Sequence, residues 1–495
     1  MTQRIRHGCF GVLLLATSLL FPAASSAQAR DTTDDDELRQ IEIDRTPWVG
    51  DFDGMFDRRH IRMLVPYSRT LFFVDKGRER GITAEIARGF ERYLNQKYKK
   101  KLAGRPLTIS LIATTRDRLV GDLARGLGDI AAGNLTVTPE RLRAADFVVP
   151  AEQPPVLEEL VCSSDAPPVA NLDSLSGKTV EVRRSSSYYE SLIALNARFK
   201  ADRRAAVQIL LLPDALEDED VLEMVNAGLI GLTIVDSWKA RIWAQALPRI
   251  KIRKDIVLRD DGKTGWAIRR DSPRLRNEIE AFDRGLLQHQ DIIESRIASY
   301  ERNVRQISNS TGGAAWKRFE KTLALFKKYG TKYDFDPLML VAQGYQESKL
   351  DQTARSHMGA IGVMQIMPAT GAELRVGDIE QLEPNIHAGA KYMDRLMSKY
   401  FAGAQFDEAN RTLFAFASYN AGPGNISRMR SLAEKRGLDP NEWFNDVELV
   451  VAQKIGMETT TYVRNIYKYY VAYKLTLEAQ QTRAKARQSV ESNRN

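Results

Sequence analysis

The chain has 495 residues, of which 43% are hydrophobic and 27% are charged. At about 100 to 200 residues per domain this length indicates two to four domains, and the composition excludes a wholly disordered chain. Lys and Arg number 72 against 64 Asp and Glu, without the long basic blocks of nucleic-acid-binding surfaces. Two cysteines, Cys9 and Cys162, are too few for a disulfide framework or a cysteine-based zinc cluster.

Residues 1–29 have the pattern of a secretory signal peptide. Arg4 and Arg6 give a basic start, residues 10–21 are apolar, and Ala27-Gln28-Ala29 suits a cleavage site. The apolar run is shorter than the roughly 20 residues that a membrane-spanning helix needs. We therefore expect a periplasmic protein whose mature chain begins near Arg30, without a lipid anchor. The alternative is an uncleaved membrane anchor.

Residues 30–56 begin with an acidic, polar stretch that predicts a flexible arm, and residues 57–300 then alternate between strand and helix patterns. Strands alternating with long helices indicate parallel sheets in an α/β domain. The predicted strands are 61–66, 107–113, 179–182, 229–235, 250–257 and 265–268, and the predicted helices are 81–100, 119–127, 187–199, 221–227 and 272–287.

Residues 301–314 contain the run Ser-Asn-Ser-Thr-Gly-Gly, whose composition is typical of a linker. Beyond it, residues 315–476 have helical periodicity almost throughout, which predicts a mostly α-helical domain. Residues 477–495 form a polar tail without an apolar stripe, and we expect it to be frayed. The predicted helices are 316–329, 337–348, 386–401, 411–419 and 459–475, with one short strand at 363–368.

Glu347 is predicted in the last turn of a helix that begins at Asp336 and Pro337, with Asp336 as the cap and Pro337 at the first position. A carboxylate there lies at the negative end of the helix dipole, and apolar neighbours would desolvate it. Both effects raise the pKa of a carboxyl group, as a general acid at neutral pH requires. Taken alone, Glu347 is interpreted more simply as a solvated glutamate at a helix end.

Three further motifs follow Glu347-Ser348: Gly-Val-Met-Gln-Ile-Met-Pro at 362–368, Tyr-Asn-Ala-Gly at 419–422 and Glu-Thr-Thr-Thr-Tyr-Val at 458–463. In order and spacing the four motifs resemble the catalytic domain of soluble-type lytic murein transglycosylases, which have a goose-lysozyme-like fold. The resemblance covers residues 315–476 and implies cleavage of peptidoglycan between N-acetylmuramic acid and N-acetylglucosamine.

The resemblance implies that Glu347 is the single catalytic acid and base. Protonated Glu347 gives its proton to the leaving oxygen, and ionised Glu347 then takes the proton of the C6 hydroxyl, which yields a 1,6-anhydro sugar without consuming water. The implied substrate-binding residues are Ser356, Gln365, Asn420 and Tyr462.

A hydrolysing muramidase is the alternative, and it would need a second carboxylate. Asp351 and Glu458 are the candidates, although Glu458 also suits the start of its own helix. Neither a metal nor a cofactor is expected, because the histidines of the mature chain lack a paired metal-binding spacing. These histidines are His60, His289, His357 and His387.

In the first part of the chain, residues 133–141 resemble the ligand-binding stretch of type 2 periplasmic solute-binding proteins of the amino-acid class. The resemblance covers residues 57–290 and implies two lobes, with crossovers near 149–157 and 246–250. It also implies ligand contacts: Arg141 would clamp a carboxylate, Thr136 would supply a hydroxyl, and Asp236 would receive an ammonium. The alternative is that Arg141 pairs with Asp146 at the surface.

The two resemblances, in this order, are those of membrane-associated lytic murein transglycosylases. They imply peripheral attachment to the outer membrane and regulation by an amino-acid or murein-peptide ligand. The second interpretation is a transport or sensory binding protein whose helical part only grips glycan. Glu347 in its four-motif setting favours the enzyme, since a glycan binder has no use for a buried acid.

Overall fold

A computed structural model of the chain describes residues 46–75, 77–286 and 307–492. The predicted signal peptide, the first part of the predicted arm and the start of the predicted linker lie outside the described residues. Within the described ranges, no helix combines the length and the apolar character needed to cross a membrane. All of the described residues belong to one compact unit.

The N-terminal half, residues 46–286, has two lobes. The first lobe contains the strands β1 His60–Pro66, β2 Phe73–Asp75, β3 Arg78–Arg80, β4 Thr108–Thr114, β5 Ile130–Thr136, β6 Asp146–Val148 and β12 Thr264–Ile268, and the helices α1 Phe52–Asp57, α2 Ile82–Lys97, α3 Lys99–Leu102, α4 Arg116–Ala124, α5 Pro139–Leu142 and α9 Pro273–Leu286. Five strands form one sheet in the order β4-β1-β5-β12-β6. Strand β1 runs parallel to β4 and β5, as the strand–helix alternation predicts.

The second lobe contains the strands β7 Val156–Ser163, β8 Thr179–Arg183, β9 Gln208–Leu212, β10 Leu232–Asp236 and β11 Ile250–Gly262, and the helices α6 Ser187–Ala201, α7 Asp218–Ala227 and α8 Ser237–Ala244. The chain enters this lobe between β6 and β7, as predicted. The predicted return near 246–250 is wrong, because β11 begins there and continues to Gly262, next to β12. The polar end of β11 looks like a loop in sequence, and its pairing with β7 is irregular.

The C-terminal half, residues 307–492, is almost wholly helical. Its helices are α10 Gly313–Tyr333, α11 Pro337–Ser348, α12 Pro368–Leu374, α13 Leu382–Tyr400, α14 Glu408–Ala421, α15 Pro423–Lys435, α16 Glu448–Lys454 and α17 Met457–Ser492, with a π-helical turn at Trp443–Val447. The predicted fold class, a two-lobed α/β solute-binding-protein-like domain followed by a mostly α domain, is confirmed.

Two local predictions in this half differ from the structure. The strand predicted at 363–368 is wrong, because Gln365 has a left-handed φ of 46°, which a regular strand cannot contain. The segment is instead a turn with isolated bridges from Ile361 to Arg355 and Ile366. The polar tail predicted to fray is helical as far as Ser492.

The two halves share a buried ionic cluster, here called the interface cluster: Arg69, Asp220, Glu223, Arg464 and Lys468. Helix α7 is buried along its whole length and supplies the two carboxylates. Lys468 of α17 hydrogen-bonds Glu223 and lies 3.1 Å from Asp220. Arg464 lies 3.3 Å from Asp220, and Arg69 lies 2.8 Å from Glu223. Cations from both halves therefore converge on α7.

The described part of the predicted linker is packed between the halves. Asn309 donates to the backbone oxygen of Gly228 at 3.3 Å, and its own carbonyl accepts the hydroxyl of Tyr345 at 2.7 Å. One continuous apolar core runs through the first lobe, helices α7 and α8 of the second lobe and the C-terminal half, while a second core fills the rest of the second lobe. The C-terminal half is thus fixed to the N-terminal half through both apolar and ionic contacts, and its ion pairs reach α7 of the second lobe.

Candidate active site

Helix α11 places Glu347 in its last turn. The side chain of Asp336 caps the first turn, next to Pro337, as the sequence predicts. The helix stops at Lys349, whose φ of 60° is left-handed. Ser348 donates from its hydroxyl to the backbone oxygen of Val363 at 2.9 Å. The end of the helix is therefore tied to the turn that carries the second motif.

The carboxyl group of Glu347 is half-buried and accepts a hydrogen bond from the hydroxyl of Tyr462 at 2.5 Å. Burial raises the pKa of Glu347 to about 7, although the hydrogen bond from Tyr462 acts in the opposite direction. Within the described part of the chain, no second carboxylate contributes to this shift. A substantial fraction of Glu347 is consequently protonated at neutral pH, which suits a general acid.

Two residues beside Glu347 were not predicted from the sequence. Burial, followed by the charge of Glu347, raises the pKa of Tyr419, whose hydroxyl donates to the backbone oxygen of Met364 at 2.6 Å. Gln343 is fully buried, and its amide nitrogen lies 3.5 Å from the hydroxyl of Tyr462. Both could have been found from the sequence. Tyr419 begins the third motif, and Gln343 lies four residues before Glu347, which puts the two side chains on the same face of the helix.

The other predicted substrate-binding side chains make local hydrogen bonds. Ser356 accepts the backbone N–H of Ala360 at 3.0 Å, and Gln365 donates to the backbone oxygen of Gly362 at 2.9 Å. Asn420 is exposed and accepts the hydroxyl of Thr459 at 2.8 Å. Of the four predicted residues, Tyr462 is the one that hydrogen-bonds Glu347 among the residues described.

The candidate second carboxylates lie outside the hydrogen-bonding shell of Glu347. Asp351 accepts the hydroxyl and backbone N–H of Thr353, which lower the pKa of its carboxyl group. Glu458 is exposed. Throughout the described ranges, no group of three or more His, Cys, Asp or Glu is arranged to hold a metal ion.

In the N-terminal half, Arg141 bridges the two lobes. Its guanidinium donates to the backbone oxygens of Thr136 at 2.7 Å and of Ser185 at 2.8 Å. The alternative prediction, a surface ion pair between Arg141 and Asp146, is wrong, because Asp146 pairs with Arg276 at 3.1 Å. Burial lowers the pKa of Arg141.

The two other predicted ligand residues are also engaged by the protein. The hydroxyl of Thr136 accepts that of Ser187 at 3.1 Å, which is a second bond between the lobes. Asp236 ends β10, is 2% exposed, and lies 2.8 Å from the ammonium of Lys239. The structure therefore brings Thr136 and Arg141 to the junction of the lobes, and it gives Asp236 an internal cation.

Residues 324–441 match the Transglycosylase SLT domain family. Over most of its length the chain is similar to membrane-bound lytic murein transglycosylase F. The relative from Desulfosudis oleivorans is 27% identical over 436 residues, which cover 83% of this chain and 90% of the relative. That from Ectopseudomonas mendocina is 28% identical over 440 residues, covering 83% of each chain. The resemblance to lytic transglycosylases predicted from the motifs is thus confirmed.

Solved structures of solute-binding proteins are similar to the N-terminal half. The amino acid ABC transporter substrate-binding protein AbpA from Streptococcus pneumoniae, bound to L-arginine, gives a TM-score of 0.42 at 15% identity. It matches 51% of this chain and 100% of its own. An ancestral arginine-binding protein bound to arginine gives 0.39 at 17% identity, with 50% and 99% covered.

We expect Tyr462→Phe to raise the pKa of Glu347 further, because the hydrogen bond from Tyr462 favours the ionised carboxylate. If protonated Glu347 begins the reaction, the alkaline limb of the pH–rate profile moves to higher pH. Initial rates of peptidoglycan turnover across the neutral pH range measure this shift. Tyr400→Phe, at a tyrosine that is 42% exposed, should leave the profile unchanged. An alkaline limb that stays in place would show that the contact does not tune Glu347.

Proposed function

We propose that this chain is a lytic murein transglycosylase, which cleaves the bond between N-acetylmuramic acid and N-acetylglucosamine without water. The observation that carries the proposal is the half-buried Glu347, whose pKa burial raises to about 7. The match to the SLT domain and the transglycosylase F relatives support the same activity.

In this reaction Glu347 acts first as acid and then as base. Its proton passes to the glycosidic oxygen as the bond to C1 of the muramic residue breaks, and the acetamido group of that residue stabilises the positive charge. Ionised Glu347 then takes the proton of the C6 hydroxyl, whose oxygen closes onto C1. Tyr462 donates a hydrogen bond to the carboxylate and so stabilises the ionised form between the two steps.

We propose Ser356, Gln365 and Asn420, together with Tyr462, as the residues that bind the glycan. The hydroxyl of Ser356 accepts a backbone N–H, which leaves its own proton available to an acetamido carbonyl. The exposed amide of Asn420 and the half-buried amide of Gln365 each offer donors and acceptors of the kind that sugar hydroxyls need.

The N-terminal half is proposed to sense a carboxylate ligand, in the manner of an amino-acid-binding domain, through Arg141 and Thr136, with the buried pair of Asp236 and Lys239 at the same junction. Arg141 and Thr136 bond the second lobe directly, so a ligand that enters between the lobes must replace these contacts. Such a ligand can change the activity only by its difference in affinity between two states of the protein. By analogy with the relatives, we place the mature enzyme in the periplasm, peripherally attached to the outer membrane.

Mass spectrometry of the muropeptides released from purified peptidoglycan tests the proposed reaction. We expect 1,6-anhydromuramic ends, which are lighter by one water than the ends that hydrolysis leaves. Mainly reducing muramic ends would instead indicate a hydrolysing muramidase. Binding of glycan without the release of fragments would favour a binding protein over an enzyme.

A further inference from the structure

A lysine of the chain occupies the position predicted for the ammonium of a ligand. Lys239, in the first turn of α8, is 3% exposed. Its ammonium lies 2.8 Å from a carboxylate oxygen of Asp236, 2.6 Å from one of Asp218 and 3.4 Å from the hydroxyl of Tyr188. A lysine ammonium has three N–H donors. Each of them has an acceptor here before any ligand arrives.

The charges around Lys239 already balance. Arg183 hydrogen-bonds Asp218 and lies 3.3 Å from Glu217, and Arg116 lies 2.8 Å from Glu217. Every side chain of this group is at most 7% exposed. Its three cations and three carboxylates are Arg116, Arg183, Lys239, Glu217, Asp218 and Asp236. Among the described residues, Oδ1 of Asp236 has no hydrogen-bond partner and could accept one bond from a ligand ammonium. That ammonium would nevertheless add a buried positive charge to a group whose charges already balance, which is unfavourable.

Arg141 stands outside this balance. Its guanidinium donates to two backbone oxygens, those of Thr136 and Ser185, and these bonds use only part of the five N–H donors that an arginine offers. Among the described residues, no carboxylate lies within ion-pairing distance of Arg141, and Asp146 is paired elsewhere. The junction of the lobes therefore holds one cation suited to a carboxylate, beside an ammonium position that is already filled.

We propose that Lys239 replaces the amino group of a ligand, and that the N-terminal half binds carboxylates that have no free ammonium, such as N-acylated amino acids. Arg141 binds the carboxylate, while Lys239 remains paired with Asp236. The inference rests on the ligand-sensing role proposed above and does not depend on the chemistry at Glu347. It differs from the zwitterionic ligand that the resemblance to amino-acid-binding proteins implies.

Two pools of compounds that differ in one chemical group test this inference. One contains the standard L-amino acids and the other their N-acetyl derivatives, and each is added to the full chain in a thermal unfolding assay. A bound ligand raises the Tm by mass action. We expect the N-acetyl pool to raise the Tm of the wild type, and the free pool to leave it unchanged. Calorimetry with single compounds should give a Kd lower by at least about tenfold for the acetylated partner.

We expect Lys239→Met to bind free amino acids in preference to their N-acetyl derivatives. The substitution removes the lysine ammonium at similar side-chain volume, so that Asp236 can pair with the amino group of a ligand. The variant should respond to the free pool. Lys251→Met, at an exposed lysine of β11, is the matched control and should keep the wild-type preference. If Lys239→Met does not fold, the comparison of pools on the wild type still decides the question.

Equal or tighter binding of the free amino acids by the wild type would overturn the inference, and so would the failure of both pools to raise its Tm. Muropeptide analysis of the same preparation reports on the catalytic proposal separately. Anhydro products together with no response to either pool would overturn the ligand inference while leaving the transglycosylase in place.

Discussion

Glu347→Gln is expected to lower peptidoglycan turnover by about 10²- to 10⁴-fold, the range found for general acid–base catalysis. The amide keeps the shape of the carboxyl group and can still accept the hydrogen bond from Tyr462. It can neither protonate the leaving oxygen nor take the proton of the C6 hydroxyl. The pKa of Glu347 is raised by burial and lowered by the hydrogen bond from Tyr462, without a contribution from Asp351 or Glu458. The initial rate of muropeptide release measures the loss.

The pH dependence of the free energy of unfolding shows whether Glu347→Gln loses activity because it lacks the acid or because it is unfolded. Burial raises the pKa of Glu347 from 4.5 to about 7, so between these values the folded protein holds a proton that the unfolded chain releases. The free energy of unfolding of the wild type therefore falls as pH rises through this window. Glutamine does not titrate, so Glu347→Gln should be at least as stable as the wild type at alkaline pH.

Glu434→Gln, at an exposed glutamate of α15, is the control for activity and should keep the full rate of peptidoglycan turnover. A folded Glu347→Gln with substantial turnover would refute the assignment.

Lys468→Ala is expected to lower the free energy of unfolding by about 3 to 5 kcal/mol, as is typical when one partner of a buried ion pair is removed. Lys468 is 1% exposed, and its ammonium contacts both Glu223 and Asp220. Burial alone would raise the pKa of these carboxyl groups, but the cations around them hold both values below the usual range. The stabilisation is therefore present at neutral pH and is lost as pH falls through the lowered pKa values.

Urea unfolding followed by tryptophan fluorescence measures this change. The matched control is Lys328→Ala, whose partner Glu383 lies 2.7 Å away in a pair that is 61% and 46% exposed. Exposed pairs contribute little to stability, so this variant should unfold close to the wild type. If Lys468→Ala unfolds as Lys328→Ala does, the interface cluster does not hold the two halves together.

Local sequence rules predicted the elements that carry the acid. The Asp336-Pro337 cap and the apolar spacing gave α11 its observed bounds, and the last-turn position of Glu347 indicated a raised pKa. Burial is the main cause of that shift. Periodicity could not show the contact from Tyr462, which lies 115 residues further along the chain. The resemblance implied only that Tyr462 binds substrate.

Charged segments were the least predictable part of the fold. The acidic start of α7 has the sequence of a solvated helix face, yet every residue of this helix is buried. Its burial depends on cations that lie far away in sequence, Arg69 on one side and Lys468 on the other. Asp236 is also buried, but its partner Lys239 is only three residues away, and no sequence pattern indicated this pair.

Helix α17 carries Tyr462 at the acid and Lys468 in the interface cluster, six residues and about 9 Å apart along the axis. A continuous helix transmits a displacement along its length, and the contact of 2.5 Å between Tyr462 and Glu347 has little slack. One helix therefore contacts both the acid and the N-terminal half. In a chimera that carries the N-terminal half of a relative, the residues at the positions of Arg464 and Lys468 must match the new half. Otherwise we expect α17 to shift and to move Tyr462 away from Glu347.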